Sequence, residues 1–270
     1  MNYQLEQSKV RKAIAKFFGV KMNSYQDISG VSVDTVMDEM ASLGIILAGG
    51  AITSVFSNLN INDLDFYCKY SDSQSVNKVK AFFQGFCGNP SFESSNALTY
   101  KRRSTRSNHV YNIQFITRFH GSPEQIMDWF DFTITQGSYD FFNNDFVLGD
   151  RFLQDIARRK LIFLGKSMFP ICAMYRTKKY QAKGYTMPGS TVMHIALCIV
   201  RLKIETYKQL KEQLMGIDTS YLQNLFDAPH MQSKFGESLP YDYGTFIKEA
   251  FDSIDGFAHE DDVDEENGSR

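Results

Sequence analysis

The run Leu47-Ala48-Gly49-Gly50, followed after twelve residues by Asp63-Leu64-Asp65-Phe66, constrains this 270-residue chain more than any other feature. Gly44-Ile45-Ile46-Leu47-Ala48 is a short apolar run that reads as a buried strand, and Gly49-Gly50 stops it in a tight turn. Ala51 to Phe56 has helical texture beyond the turn. Asn62 to Cys68 then alternates polar and apolar residues, as a strand with one buried face does, so Asp63 and Asp65 point to the same side. Two carboxylates at i and i+2 of one strand can jointly hold divalent ions, and a glycine turn feeding a helix lets backbone N–H groups of Gly49 and Gly50 approach a phosphate. The combination suits phosphoryl or nucleotidyl transfer assisted by two Mg²⁺ ions, with Mn²⁺ as an alternative. The competing reading is a strand with a wet face. Thr53 and Ser54, in the first turn of the helix, are candidate triphosphate contacts, although helix capping accounts for either equally well.

Around this core the pattern predicts an α+β protein. Helices are expected over Tyr3 to Phe18, over Val31 to Leu43 after Asp27, and over Gln74 to Phe86. Leu98 to Arg102 and Val110 to Thr117 read as strands joined by the basic loop Arg103 to Asn108, and Ser122-Pro123-Glu124 starts a helix that runs to about Phe130. From Arg151 the chain reads as helix after helix: 151–160, 168–183, 190–214, 219–227 and 243–254. The expected organisation is therefore N-terminal helices (1–44) packed on a catalytic domain with a mixed sheet (45–150), an all-helical C-terminal part (151–259) and a disordered acidic tail (260–270). Phe82, Phe83, Phe86, Phe141 and Phe142 are assigned to the core.

Charge is unevenly distributed. The formal net charge of −2 argues against a polyanion partner until the tail, with six acids between Glu260 and Glu266, is set aside; residues 1–259 then hold 28 basic and 25 acidic groups. Between Ala97 and Lys211 there are 18 Lys/Arg against eight Asp/Glu, so the middle of the chain can attract a nucleic acid. Lys101, Arg102, Arg103, Arg158, Arg159 and Lys183 are the candidate RNA contacts. Cys68, Cys87, Cys172 and Cys198 lack metal-ligand spacing and suit a reducing compartment, and the five histidines show no ligand spacing either. No apolar run approaches the ~20 residues of a membrane span and no signal peptide is evident, so a soluble, cytoplasmic protein without a membrane partner is expected.

These motifs resemble the polymerase-β-type nucleotidyltransferase superfamily, whose signature is an apolar residue, Gly-Gly or Gly-Ser, about ten residues, then Asp-apolar-Asp or Asp-apolar-Glu. Later segments are similar to the CCA-adding enzyme and bacterial poly(A) polymerase branch. Trp129-Phe130-Asp131-Phe132-Thr133-Ile134-Thr135-Gln136 parallels an Arg-Arg-Asp-Phe-Thr-Ile-Asn-Ala motif. Asp155 to Ile162 partly matches an Asp-Leu-x-x-Lys-x-Leu-Arg element, and Phe169-Pro170 through Pro188 parallels the start of the neck. The resemblance covers about residues 45 to 190. It implies a palm-like nucleotidyltransferase fold in which Asp63 and Asp65 bind metal, Gly49 and Gly50 meet the triphosphate, and the site lies in a cleft beside the helical part.

The departures matter as much. Trp129 and Phe130 stand where that branch has two arginines, and Asn112 and Gln114 occupy the strand on which a third carboxylate is expected. Asp131 is the nearest acidic candidate, with a turn or N-cap role as its rival reading. The element that selects C and A is not evident after Pro188. Arg176 and Lys179, three apart on one predicted helix, share a face that can hold phosphates or simply face water. The expected activity is transfer of a nucleoside monophosphate from an NTP to an acceptor hydroxyl, an RNA or tRNA 3′ end above all, with release of pyrophosphate. The alternatives are a toxin-like or regulatory transferase acting on tRNA or protein, and a degenerate nucleotide- or RNA-binding module. Oligomeric state is not legible.

Overall fold

In the computed structural model, residues 3–22, 31–103 and 110–214 are described. The predicted helices 219–227 and 243–254, the acidic tail, the loop after Arg103 as far as His109, and Asp27 lie outside them. The described residues divide into two compact units, one reaching to residue 166 and including 184–188, the other comprising 167–183 and 189–214.

The first unit opens with α1 (Gln4–Phe18), ended by Gly19 in the left-handed conformation at φ 62°, and α2 (Val33–Ser42), whose N-cap Ser32 accepts from the Thr35 amide. Then follow β1 (Ile45–Ala48), α3 (Gly50–Ser57), β2 (Asp63–Cys68) and α4 (Ser73–Cys87), which is started by the Asp72 carboxylate accepting from the Ser75 amide at 2.9 Å. Next come β3 (Phe92–Glu93), β4 (Ala97–Arg103), β5 (Val110–His120) and α5 (Pro123–Met127). Helix α5 has Pro123 in its first turn and a reciprocal capping box between Ser122 and Gln125, so the sequence signal at Ser122-Pro123 marks its start. A 3-10 turn at Thr133–Thr135 leads to β6 (Gly137–Asp140), β7 (Asp145–Leu148) and α6 (Phe152–Ala157).

The seven strands among the described residues join one mixed sheet in the order β3-β4-β5-β2-β1-β6-β7. Only β2 and β5 run parallel; the other pairs are antiparallel. The α+β expectation is met, with more strands than periodicity alone reveals. One face of the sheet turns Leu64, Phe66, Tyr100, Ile113 and Phe115 inward. Phe83 of α4 lies near-parallel to Tyr100 and Phe115, with ring centroids 5.8 and 5.6 Å away, and Phe18 of α1 meets Phe66 edge-on at 5.9 Å. Each such pair contributes about 0.5–1.5 kcal/mol beyond the area it buries.

The second unit contains α7 (Pro170–Ala182), α8 (Gly189–Arg201) and α9 (Tyr207–Leu214). One helix over 190–214 was expected, but the structure breaks it. Lys203 takes a positive φ of 45°, and a new helix starts where Thr206 accepts from the Gln209 amide while Gln209 accepts from the amides of Glu205 and Thr206. Phe142, expected in the core, is instead 71% exposed because it sits in the β6–β7 turn, whereas Phe82, Phe83 and Phe141 are buried. No helix among the described residues is long and apolar enough to cross a membrane.

Candidate functional site

The site is built at one end of the central strands. Strand β1 is wholly buried and hydrogen-bonded on both sides, and Ala48 pairs in register with Asp65 on β2. The chain then leaves the sheet through Gly49, at φ 81° and ψ −135°, a conformation essentially reserved for glycine. The Gly49 amide donates to the Gly137 carbonyl at 2.9 Å, while its carbonyl accepts from Ile52 and Thr53, each at 3.1 Å. The first helical turn therefore uses the amides of Ile52 and Thr53 and leaves those of Gly50 and Ala51 outside the helix's own ladder. A side chain on Gly49 would meet only the Phe130 ring, at 3.8 Å, so the backbone angle and not crowding demands glycine.

On β2 the alternation is as expected. Leu64 and Phe66 are fully buried, while Asp63 and Asp65 are half-buried and share the opposite face. The parallel neighbour β5 places Asn112 beside Asp63 and Gln114 beside Asp65, and β4 adds Lys101 beside Asn112 and Thr99 beside Gln114. Two rows thus cross the same face, Lys101-Asn112-Asp63 and Thr99-Gln114-Asp65, with Lys101 about 10 Å across the strands from Asp63. The position expected to carry a third carboxylate is an amide. Among the described residues no three Asp, Glu, His or Cys side chains gather into a group able to hold a metal. The oxygen-donor set of two carboxylates flanked by two side-chain amides nevertheless suits Mg²⁺, which is commonly held by one or two carboxylates with substrate phosphates and water completing the shell.

Other sequence candidates separate according to what they touch. The Thr53 hydroxyl is buried and donates to the Ile134 carbonyl at 2.6 Å, which turns it away from any phosphate and ties α3 to the 3-10 turn; Ser54 is buried as well. That turn is held in its own right, because Thr133 donates to the buried Asp155 carboxylate at 2.7 Å and Arg151 pairs with the same group at 3.1 Å. Asp131 is 6% exposed and its carbonyl accepts from the Leu164 amide at 2.8 Å, in the segment where Phe132 bridges to Phe163.

The basic cluster on β4 splits between faces. Arg102 turns away from the aspartates, donates to the Phe17 carbonyl at 3.1 Å and covers Gly19, and so caps α1; Lys101 and Arg103 alternate with it and are exposed. Arg159, at φ 50°, lies over the Tyr185 ring at 5.2 Å, and Arg158 is exposed at the end of α6. Arg176 and Lys179 both lie on α7 in the second unit, with Lys183 at its C-cap.

The surroundings of the glycine turn are not legible in the sequence. Phe130 packs toward Tyr67, with centroids 6.0 Å apart, and Trp129 lies against Phe119 at 5.0 Å with planes 20° apart. The buried Thr133–Asp155 contact was equally invisible, because its partners are 22 residues apart and neither belongs to a periodic pattern.

A central strand, a glycine turn and a helix thus stand beside an Asp-x-Asp strand in a mixed α+β fold. Solved structures similar to this chain include a CCA-adding enzyme in complex with ATP (11% identity, TM-score 0.48, covering 66% of this chain and 45% of that one). Another is the Thermotoga maritima CCA-adding enzyme complexed with tRNA (11% identity, TM-score 0.45, covering 74% and 49%). The chain belongs to the Gabija anti-defense 2 family: the description "Gad2: Gabija anti-defense 2 family protein" matches residues 13–159, and the "Gabija anti-defense 2" of Bacillus phage SPbetaL7 is 34% identical over 182 residues. That alignment takes in 67% of this chain, and the chain spans 44% of the length of that relative.

Proposed function

We propose that the chain is a Mg²⁺-dependent nucleotidyltransferase that moves a nucleoside monophosphate from an NTP to an acceptor hydroxyl, and that this transfer is its means of countering Gabija defence. The observation that carries the reading is the register of Ala48 with Asp65, which sets the glycine turn and the carboxylate pair at the same end of adjacent strands. The Gly50 and Ala51 amides, at the positive end of α3, favour the anionic triphosphate. Divalent ions bound at Asp63 and Asp65 would neutralise triphosphate charge and ease loss of the acceptor proton. The acceptor oxygen bonds to the α-phosphorus, the bond from that phosphorus to the bridging oxygen breaks, pyrophosphate leaves with the electron pair, and the hydroxyl proton passes to water. Exposed Lys101 and Arg103, on the same sheet face as Asp63, favour an acceptor with phosphates of its own, so RNA or tRNA is the preferred acceptor class.

A second reading, a binding module without catalysis, draws support from Asn112 and Gln114 at the positions beside the aspartates. Incubating the protein with each α-labelled NTP, Mg²⁺, total RNA and cell protein separates the two. Label on RNA is the expected result. Label on protein keeps the chemistry and changes the acceptor, whereas NTP binding with no transfer to any acceptor overturns the enzymatic reading.

A further inference from the structure

The face that carries Asp65 continues into an aromatic patch that phosphate and metal contacts leave unused. Ala48, the register partner of Asp65, packs with Ile46, Tyr67 and Ile126, and Ile116, Phe119 and Phe130 lie against that group. Tyr67 is two residues, about 7 Å, along β2 from Asp65. Phe130 bridges Tyr67 and the glycine turn, since its ring lies 3.8 Å from where a Gly49 side chain would stand. Trp129, adjacent in sequence, is nearly parallel to Phe119 yet 46% exposed, so a large indole surface faces solvent. The Arg118 guanidinium covers the Phe119 ring at 5.7 Å.

A tryptophan supported by a stacked ring and left open costs hydrophobic exposure that a second aromatic surface would remove. We infer that this patch binds the base of the nucleoside triphosphate, with Trp129 as the stacking surface and Phe130 as its floor beside the glycine turn; the inference rests on the nucleotidyl-transfer reading. A base fits better than a protein partner because the patch is continuous with Ala48 and Gly49, next to the carboxylates, and a triphosphate at the turn brings its own base into this neighbourhood. Aromatic rings take a base through its π-face, at about 1–3 kcal/mol per base, and discriminate weakly among bases. Recognition at these two positions is therefore by stacking, where arginines would instead grip charge.

Trp129 is the single tryptophan of the chain, so its fluorescence reports this site directly. ATP titrated into the full chain in EDTA should quench that emission saturably, and inorganic tripolyphosphate at the same concentrations should not. By equilibrium dialysis with labelled ATP, Trp129→Ala should weaken binding about tenfold with an unchanged circular dichroism spectrum, and Trp129→Phe should recover most of the loss. Wild-type affinity in Trp129→Ala, equal quenching by tripolyphosphate, or no quenching by ATP would each overturn the stacking assignment. Because these measurements need neither metal nor turnover, they remain distinct from a failure of transfer, which is read by label on an acceptor.

Discussion

Gly49 shows how much of the site depends on one dihedral angle. Its positive φ lets β1 end, turns the Gly49 carbonyl toward Ile52 and Thr53, and leaves the next two amides at the mouth of α3. Alanine fits the space, with only Phe130 near, but not the backbone. Gly49→Ala should therefore destabilise the fold by about 1–3 kcal/mol, read as a lower urea midpoint at unchanged m-value, and should weaken NTP binding more than its stability loss explains. The glycine was legible in the sequence because a turn after an apolar run needs it. The two aspartates were legible because strand periodicity is 2 and their neighbours Leu64 and Phe66 are apolar. Thr53 was not, since a hydroxyl in a first helical turn looks the same whether it caps, binds a ligand or, as here, donates to a carbonyl 81 residues away.

At the scale of elements, the site is held by contacts between pieces remote in sequence. The 3-10 turn that receives Thr53 is anchored through Thr133 to Asp155 of α6, a buried carboxylate that depends on that hydroxyl and on Arg151. Thr133→Val should leave Asp155 short of a donor and cost about 1–3 kcal/mol in chemical denaturation, whereas an exposed substitution such as Gln154→Ala should cost little. Helices α1 and α2 are joined by the pair Arg11–Asp34. The hydrogen bond from Arg11 holds the Asp34 carboxyl below its usual range. A folded value below the unfolded one, about 3.9, means that this stabilisation is present above that pH and fades as pH falls through the native value. Both side chains are partly exposed, so the pair is worth no more than about 1 kcal/mol, and Asp34→Asn should remove that amount near neutrality while making the acid limb of the stability curve shallower.

Long periodic elements, α1, α4, β2 and β5, could be read from sequence. The β6–β7 hairpin was hidden because its strands have four residues each and no alternation; only Asn143-Asn144, with Asn144 at φ 51°, signals the turn. The division of Lys101, Arg102 and Arg103 between two faces follows from the period of 2 once β4 is placed, but a cluster of like charges in sequence conceals it.

At the scale of the molecule, the charge balance takes a more specific form. The excess of basic residues in the middle of the chain is spread over two units and both faces of a sheet, and part of it, Arg102 and Arg159, serves helix capping and ring stacking. Lys101 and Arg103 are on the face of Asp63, a small positive surface beside a small negative one. The most direct measurement of whether Asp63 and Asp65 act is transfer of label from an α-labelled NTP to an acceptor by the wild type, Asp63→Asn and Asp65→Asn, each verified as folded by circular dichroism and each tested with Mg²⁺ and with EDTA. Transfer by the wild type in Mg²⁺, lost in EDTA and reduced at least a hundredfold in both variants (about 2.7 kcal/mol of barrier), is the predicted result. Full transfer by both variants, or undiminished transfer in EDTA, would contradict it.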